Sequence, residues 1–173
     1  EEVREDMKAI RIHQRGGPEV LIYEDAPRPR LMPGDALVRV HASAITKDEL
    51  TWDPTYQTAN GEPRTPSIPG HEFSGVVEEL SPDTQGAKIG EDVYGLASFY
   101  RDGSAAEFIA IRADDLAAKP KTLDHVHAAA VPLAACNQTM PVANKSDLSA
   151  ANREASLEGG RPRCRLRIDT EQQ

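Results

Sequence analysis

Residues Ser67–Val77 read SIPGHEFSGVV, and this stretch decides how the chain around it is interpreted. Pro69 and Gly70 signal a turn, because proline fixes φ and glycine adopts backbone conformations that other residues avoid. The run that ends the stretch is rich in strand-forming residues. Between the turn and the strand stand His71 and Glu72, whose side chains can bind a metal, move a proton or satisfy buried hydrogen bonds.

Strand-like runs separated by turn signals continue on both sides of this stretch. Their residues alternate in polarity, although imperfectly, as those of a half-buried strand do. The runs are Met7–Gln14, Val20–Ala26, Ala36–Ile45, Phe73–Leu80, Val93–Leu96 and Ala105–Ile111. Many short strands at this spacing predict a mainly β domain with a few short helices over residues 7–120, either a β-barrel or a β-sandwich.

A long irregular segment and one helix interrupt the strand pattern. The segment Thr46–Pro69 holds four prolines and shows little periodicity. Loops of this length in compact domains usually carry function or move. The helix is predicted to begin after Thr122 as its N-cap, and Pro132 is expected to end or kink it.

The totals exclude several classes of protein. The 173 residues carry a formal net charge of −8, and 39% of them are hydrophobic. This composition suits one globular domain, and its acidic balance argues against nucleic acid as the main partner. No run approaches the roughly 20 apolar residues of a membrane helix, and the N-terminus has no apolar signal core. Cys136 and Cys164 lack a Cys-x-x-Cys spacing, so a cytoplasmic location is the expectation.

The order of the pieces resembles that of a known family. The pieces are MKAI, GGPEVL, PGDALVRVHASAIT, IPGHEFSGVV, GEDVYGL, GSAAEFIAI and AAAVPLA. Together they are similar to the N-terminal, GroES-like catalytic domain of medium-chain dehydrogenases/reductases, in the zinc-free, quinone-oxidoreductase-like, NADP-dependent branch. The resemblance implies a GroES-like, partly closed antiparallel β-barrel beside a dinucleotide-binding domain, with the active site in the cleft between them.

The same resemblance bears on the pair His71 and Glu72. In zinc alcohol dehydrogenases of the wider family, the histidine of Gly-His-Glu is a catalytic zinc ligand, and a cysteine further upstream is another. Thr46 stands at the cysteine position here, and no cysteine lies between Tyr94 and Glu107. Zinc requires several N, S or carboxylate ligands, so no metal site is expected. The pair is left with either a structural role or a zinc-free role at the cleft, with His71 as a catalytic candidate and Glu72 in the substrate pocket.

The resemblance also implies roles for the long loop. Thr46 would face the nicotinamide or the substrate carbonyl, as a catalytic and cofactor-binding residue, and Lys47 would reach the cofactor pyrophosphate. Tyr56 is a candidate proton donor or pocket wall, and Trp52 a candidate wall. Each has a plainer alternative: a strand-forming threonine, a solvated lysine and two packing aromatics.

Further along the chain the resemblance ends. A Gly-rich turn that opens a helix should follow, to hold the cofactor pyrophosphate, but the only glycine pair there is Gly159-Gly160. The expected organisation is an N-terminal extension over 1–6, the GroES-like catalytic domain over 7–135, and a divergent or truncated tail over 136–173 without a dinucleotide-binding domain.

Two functions fit these observations. The first is the substrate-side domain of a zinc-independent oxidoreductase that uses NADPH to reduce a quinone, enone or carbonyl. Such a chain would be weakly active or inactive alone, unless a complementing chain or a homo-oligomer supplies the other half. The second is a non-enzymatic GroES-like remnant or partner-binding module. Neither involves a membrane or nucleic acid, and binding of NADPH distinguishes them.

Overall fold

The computed structural model describes residues 6–46 and 48–134, which form two antiparallel β-sheets. The strands are β1 (Asp6–Ile12), β2 (Leu21–Pro27), β3 (Asp35–Ala44), β4 (Glu72–Leu80), β5 (Asp92–Leu96), β6 (Phe108–Arg112) and β7 (Leu116–Ala118). The smaller sheet pairs β1 with β2, and the larger has the order β6-β3-β4-β5-β7. The prediction of a mainly β, antiparallel fold is confirmed, although the described strands form two sheets and not a closed barrel.

Short helical turns connect the strands. The 3-10 turns are Pro18–Val20, Glu49–Thr51, Asp53–Thr55 and Ala113–Asp115, and the α-helix α1 covers His125–Ala129. Two of these turns lie in the predicted irregular segment. No helix within residues 6–46 and 48–134 is long and apolar enough to cross a membrane.

The N-cap predicted for α1 was wrong. Asp124, and not Thr122, precedes the helix, and its side chain accepts the His127 N–H at 2.8 Å. Aspartate is the better cap, because its carboxylate accepts an otherwise unpaired N–H at the positive end of the helix. The first residue of α1, His125, holds the helix to the larger sheet: its Nδ1 lies 2.7 Å from Ser74 Oγ, and its ring stacks on His41 at 4.4 Å.

The two sheets are joined at the start of the SIPGHEFSGVV stretch. Ile12 and Ser67 exchange two backbone hydrogen bonds, of 2.8 and 3.0 Å, and Ala9 forms a bridge with Ala106. The segment after residue 102 runs alongside: the N–H groups of Gly103 and Ala105 donate to Ile68 O and Pro69 O at 2.8 and 2.9 Å. The Pro-Gly turn is therefore held by backbone hydrogen bonds from both sides.

Strand β3 is covered on both faces at its start, where the four residues from Asp35 to Val38 are all buried. Leu37 and Val38, which the alternation assigns to opposite faces, are both buried for this reason. Asp35 is buried as well, and Arg101 donates to its two carboxylate oxygens at 3.1 and 2.6 Å. Burial raises the pKa of Asp35, but the hydrogen bonds from Arg101 and from the Met32 N–H outweigh it, so the pKa lies below its usual value. Asp35 is therefore a buried, paired carboxylate.

Candidate active site

Glu49 connects the long loop to the Pro-Gly turn. Its side chain is 1% exposed, and its Oε1 accepts the Gly70 N–H at 2.6 Å and lies 3.3 Å from His71 Nε2. Its own N–H donates to Thr46 O at 3.0 Å. Sequence analysis missed this residue. No local signal marks it, because an acidic residue in a polar loop is ordinarily solvated.

The turn requires glycine at position 70. Gly70 has φ of 86°, in the left-handed region, and a Cβ there would lie 2.7 Å from Ser43 Oγ and 3.2 Å from Ala105 N. The Ser43 hydroxyl in turn pairs with Ser104 Oγ at 2.7 Å. This close packing sets the direction in which His71 leaves the turn.

His71 is held as a neutral imidazole. Its side chain is 4% exposed, and burial, assisted by the positive charge of Arg64, lowers its pKa to about 4. Its ring packs edge-on against Phe99, with 4.9 Å between the ring centroids. Within the described part of the chain, its Nδ1 is buried without a hydrogen-bond partner. Such an atom has the capacity to bond a polar group that enters the site.

Glu49 and His71 lie close together, with 3.3 Å between Oε1 and Nε2, and both are buried. Burial raises the pKa of Glu49, and the charge of Glu72 acts in the same direction, while the N–H groups of Gly70 and Thr46 favour the ionised form. Ionisation of Glu49 and protonation of His71 are thus both disfavoured by the surroundings.

The structure brings three of the predicted site residues together. Thr46 is half-buried beside Glu49, and the half-buried ring of Trp52 packs edge-on against Phe99 at 5.4 Å. Because Phe99 also contacts His71, these two contacts form one neighbourhood of an imidazole and two aromatic rings, which the backbone of Thr46 joins through Glu49. Lys47 lies outside the described residues.

Tyr56 and Glu72 have different surroundings. The Tyr56 ring is buried, its hydroxyl donates to Leu50 O at 2.7 Å, and the Arg15 guanidinium stacks on its face at 4.4 Å. Glu72 Oε1 accepts the Leu133 N–H at 2.9 Å. Both polar groups already bond backbone atoms, and their catalytic and pocket roles stay predictions.

The donors in this neighbourhood do not fit a zinc ion. Across residues 6–46 and 48–134, no group of three or more His, Cys, Asp or Glu side chains is placed to hold a metal. The oxygen of Glu49 nearest to His71 already accepts the Gly70 N–H, and Glu72 is turned to Leu133. Zinc sites need three or four convergent N, S or O ligands, so these residues are assigned hydrogen-bonding roles.

Acidification is expected to destabilise the fold through His71. Its folded pKa of about 4 lies below the ordinary 6.5, so the unfolded chain takes up the proton first. The neutral ring contributes its full share of the free energy of unfolding above about pH 6.5. This share, roughly 3 kcal/mol, is lost as the pH falls towards 4. Glu49 has the opposite sign, because its raised pKa makes the folded state bind a proton more readily. Urea unfolding between about pH 7 and about pH 4 measures the net effect of the two groups on the free energy of unfolding.

Two variants isolate the contribution of His71 to this pH dependence of stability. His71→Asn should reduce the loss of unfolding free energy in acid. His127→Asn removes an exposed histidine, and this variant should lose as much unfolding free energy in acid as the unchanged protein. Burial also lowers the pKa of His125, which remains in both variants and contributes equally to both profiles. A His71→Asn protein that loses stability in acid as steeply as the unchanged protein would contradict the assignment.

Comparison with known proteins shows the family to which this chain belongs. The sequence profile of the alcohol dehydrogenase GroES-like domain matches residues 32–121. A probable zinc-binding oxidoreductase, mitochondrial, of Arthroderma benhamiae is 34% identical over 135 residues, covering 78% of this chain and 39% of that protein. An NADPH-dependent alkenal/one oxidoreductase, chloroplastic, of Arabidopsis thaliana is 30% identical over 139 residues, covering 76% and 36%.

Solved structures agree with these relatives. The quinone oxidoreductase from Coxiella burnetii superposes with a TM-score of 0.67 at 29% identity, over 86% of this chain and 45% of that one. The chain thus spans less than half the length of these relatives. On the profile match over residues 32–121, the chain belongs to the family of alcohol dehydrogenase GroES-like domains, the N-terminal domain of the medium-chain dehydrogenases/reductases.

Proposed function

We propose that this chain is the substrate-side domain of a zinc-independent, NADPH-dependent oxidoreductase that reduces a quinone, enone or carbonyl compound by hydride transfer. The observation that carries the proposal is the meeting of Trp52 and His71 at Phe99, with the buried Glu49 joining His71 to the backbone of Thr46. Family membership supports it, as do the relatives described as alkenal/one and quinone oxidoreductases.

Each residue of the neighbourhood has a part in this chemistry. A nicotinamide cofactor supplies the hydride when it is bound. Thr46, which is half-buried, would donate its hydroxyl hydrogen to the substrate oxygen and stabilise the negative charge that develops there. Trp52 and Phe99 would form an apolar wall that orients the substrate, and His71 with Glu49 would hold the turn and exchange a proton.

The proposed organisation keeps residues 7–135 as the catalytic domain. Lys47 is proposed to reach the cofactor pyrophosphate, and the tail over 136–173 is proposed to lack the dinucleotide-binding half. That half would come from a longer natural protein, a complementing chain or an oligomer. The chain alone should therefore turn over NADPH slowly or not at all, because hydride transfer needs both reactants held at near-contact distance. A cytoplasmic location also stays a prediction.

Substrate binding is the direct test, because Trp52 is the only tryptophan of the chain and lies in the proposed site. A quinone or a cyclic enone should change its fluorescence saturably. Thr46→Val keeps the side-chain shape but removes the hydroxyl, and should weaken binding by roughly tenfold, the value of one hydrogen bond.

The matched control is Thr51→Val. Thr51 is exposed, and its hydroxyl donates to Asp48 O at 2.6 Å within its own turn, so this substitution should leave the affinity unchanged. A chain that binds neither quinone nor enone would instead support a non-enzymatic module. Fast NADPH turnover by the chain alone would show that the proposed division into two halves is wrong.

A further inference from the structure

A cavity of about 650 Å³ opens between the end of β1–β2 and strand β6. Four arginines line it, Arg28, Arg30, Arg64 and Arg101, together with one acidic residue, Asp102. Such a concentration is unusual in a chain of net charge −8, and nothing in the proposed hydride transfer requires it. The volume lies within the range of pockets that hold small molecules, about 300–1,000 Å³.

Two of the four arginines are neutralised by their own partners. Arg101 forms the bidentate pair with the buried Asp35. Arg64 contacts Asp102 at 3.2 Å and also donates to Pro54 O at 2.5 Å and to Phe99 O at 3.4 Å. These two side chains are occupied by the fold, so they shape the cavity and do not supply its free charge.

The other two arginines are incompletely neutralised. Arg28 reaches Glu78 only at 3.6 Å, because the second oxygen of Glu78 is bound by Arg39 at 2.6 Å. Arg30 is exposed and has no acidic partner in the part of the chain that the structure describes. The cavity therefore carries an excess of positive charge at one end.

The walls beside these charges are apolar and flat. The Arg28 guanidinium lies on the face of Phe108, 4.0 Å from the ring centroid, which fixes its plane and leaves its edges to donate. Met7 and Pro29 line the same cavity. A guanidinium edge matches the two oxygens of a carboxylate, and apolar walls match an aromatic body.

We propose that this arginine-lined cavity is a binding site for a small aromatic carboxylate, separate from the proposed hydride-transfer site. The carboxylate would accept hydrogen bonds from Arg28 and Arg30, and the ring would pack against Met7, Pro29 and Phe108. Its position points to an effector or accessory ligand, since Arg64 lines the cavity and also bonds the carbonyl oxygen of Phe99, which contacts His71.

Calorimetric titration of the whole chain with 1-naphthoate tests the proposal. Naphthoate should bind saturably, and 1-naphthamide, a neutral molecule of the same shape, should bind at least roughly tenfold more weakly. Arg30→Gln should weaken naphthoate binding by roughly tenfold, and Arg28→Gln by at least as much. Lys88→Gln removes the same charge at an exposed residue that does not line the cavity, and should have no effect.

Several results would overturn the proposal. They are equal binding of naphthoate and naphthamide, full affinity in Arg30→Gln, inorganic phosphate binding as tightly as naphthoate, and no saturation. Arg30 is the decisive position, because its exposed side chain can be changed without loss of packing. Thr46→Val should leave naphthoate binding intact, so failure of the hydride-transfer proposal and failure of this one are distinguishable.

Discussion

Alanine at Gly103 is expected to lower the free energy of unfolding by at least about 3 kcal/mol, or to prevent folding. A Cβ at this position would lie 2.6 Å from the carbonyl carbon of Pro69, and closer still to the carbonyl oxygens of Pro69 and Gly70. These are backbone atoms, held by hydrogen bonds to Ser104 and Ala105, so they have no rotamer through which to move aside. Relief requires the two segments to separate, which opens the turn that carries His71.

Gly86→Ala is the matched control. Gly86 has φ of 87°, and a Cβ there would meet no atom within 4 Å, so only left-handed backbone strain, about 1 kcal/mol, is added. Denaturant unfolding of the two variants separates steric overlap from strain. A Gly103→Ala protein as stable as Gly86→Ala would show that the segments at residues 69 and 103 are not as close as the structure places them.

Arg101→Met is expected to lower the free energy of unfolding by about 3–5 kcal/mol, because it leaves the carboxylate of Asp35 buried without its bidentate partner. Asp35 is 1% exposed and begins the interior strand β3 of the larger sheet. Methionine conserves much of the arginine volume, so the loss reports on charge more than on packing. The loss should shrink in acid, where Asp35 can take up a proton.

Two further variants make the measurement specific. Arg39→Met breaks a largely exposed pair with Glu78, whose atoms are 2.6 Å apart, and should cost about 0–1 kcal/mol. Adding Asp35→Asn to Arg101→Met removes the stranded charge and should recover part of the stability. If the double variant is no more stable than Arg101→Met, the cost comes from lost packing and the electrostatic account is wrong.

Regular local patterns predicted β1 to β6, because each of those runs carried its own signal, but the three-residue strand β7 was missed. Phe73–Leu80 and Val20–Ala26 recur as β4 and β2 within one residue at either end. Alternation was least informative in Ala36–Ile45, since a strand covered on both faces buries consecutive residues. The cap of α1 was misplaced because threonine and aspartate both fit near the start, and only geometry selects between them.

The candidate site was predicted only in part. Thr46, Trp52 and His71 were found through resemblance, and they do lie together. Glu49 was missed, because an acidic residue in a polar loop is ordinarily solvated, and nothing local indicates that it will be 1% exposed. Its burial depends on Gly70, twenty-one positions away, whose N–H it accepts. Such a contact is a property of the tertiary fold and is invisible to a search within a short window.

The hydrogen bond between the Leu133 N–H and Glu72 has a mechanical consequence. Glu72 begins β4 directly after His71, while Leu133 lies near the last described residue. Tension applied to the backbone beyond residue 134 would load this bond first, and only afterwards the contact between His125 and Ser74. A pull on the chain would therefore act on the end of β4 that follows His71, so that tension, without any ligand, would bear on the residue next to the buried imidazole.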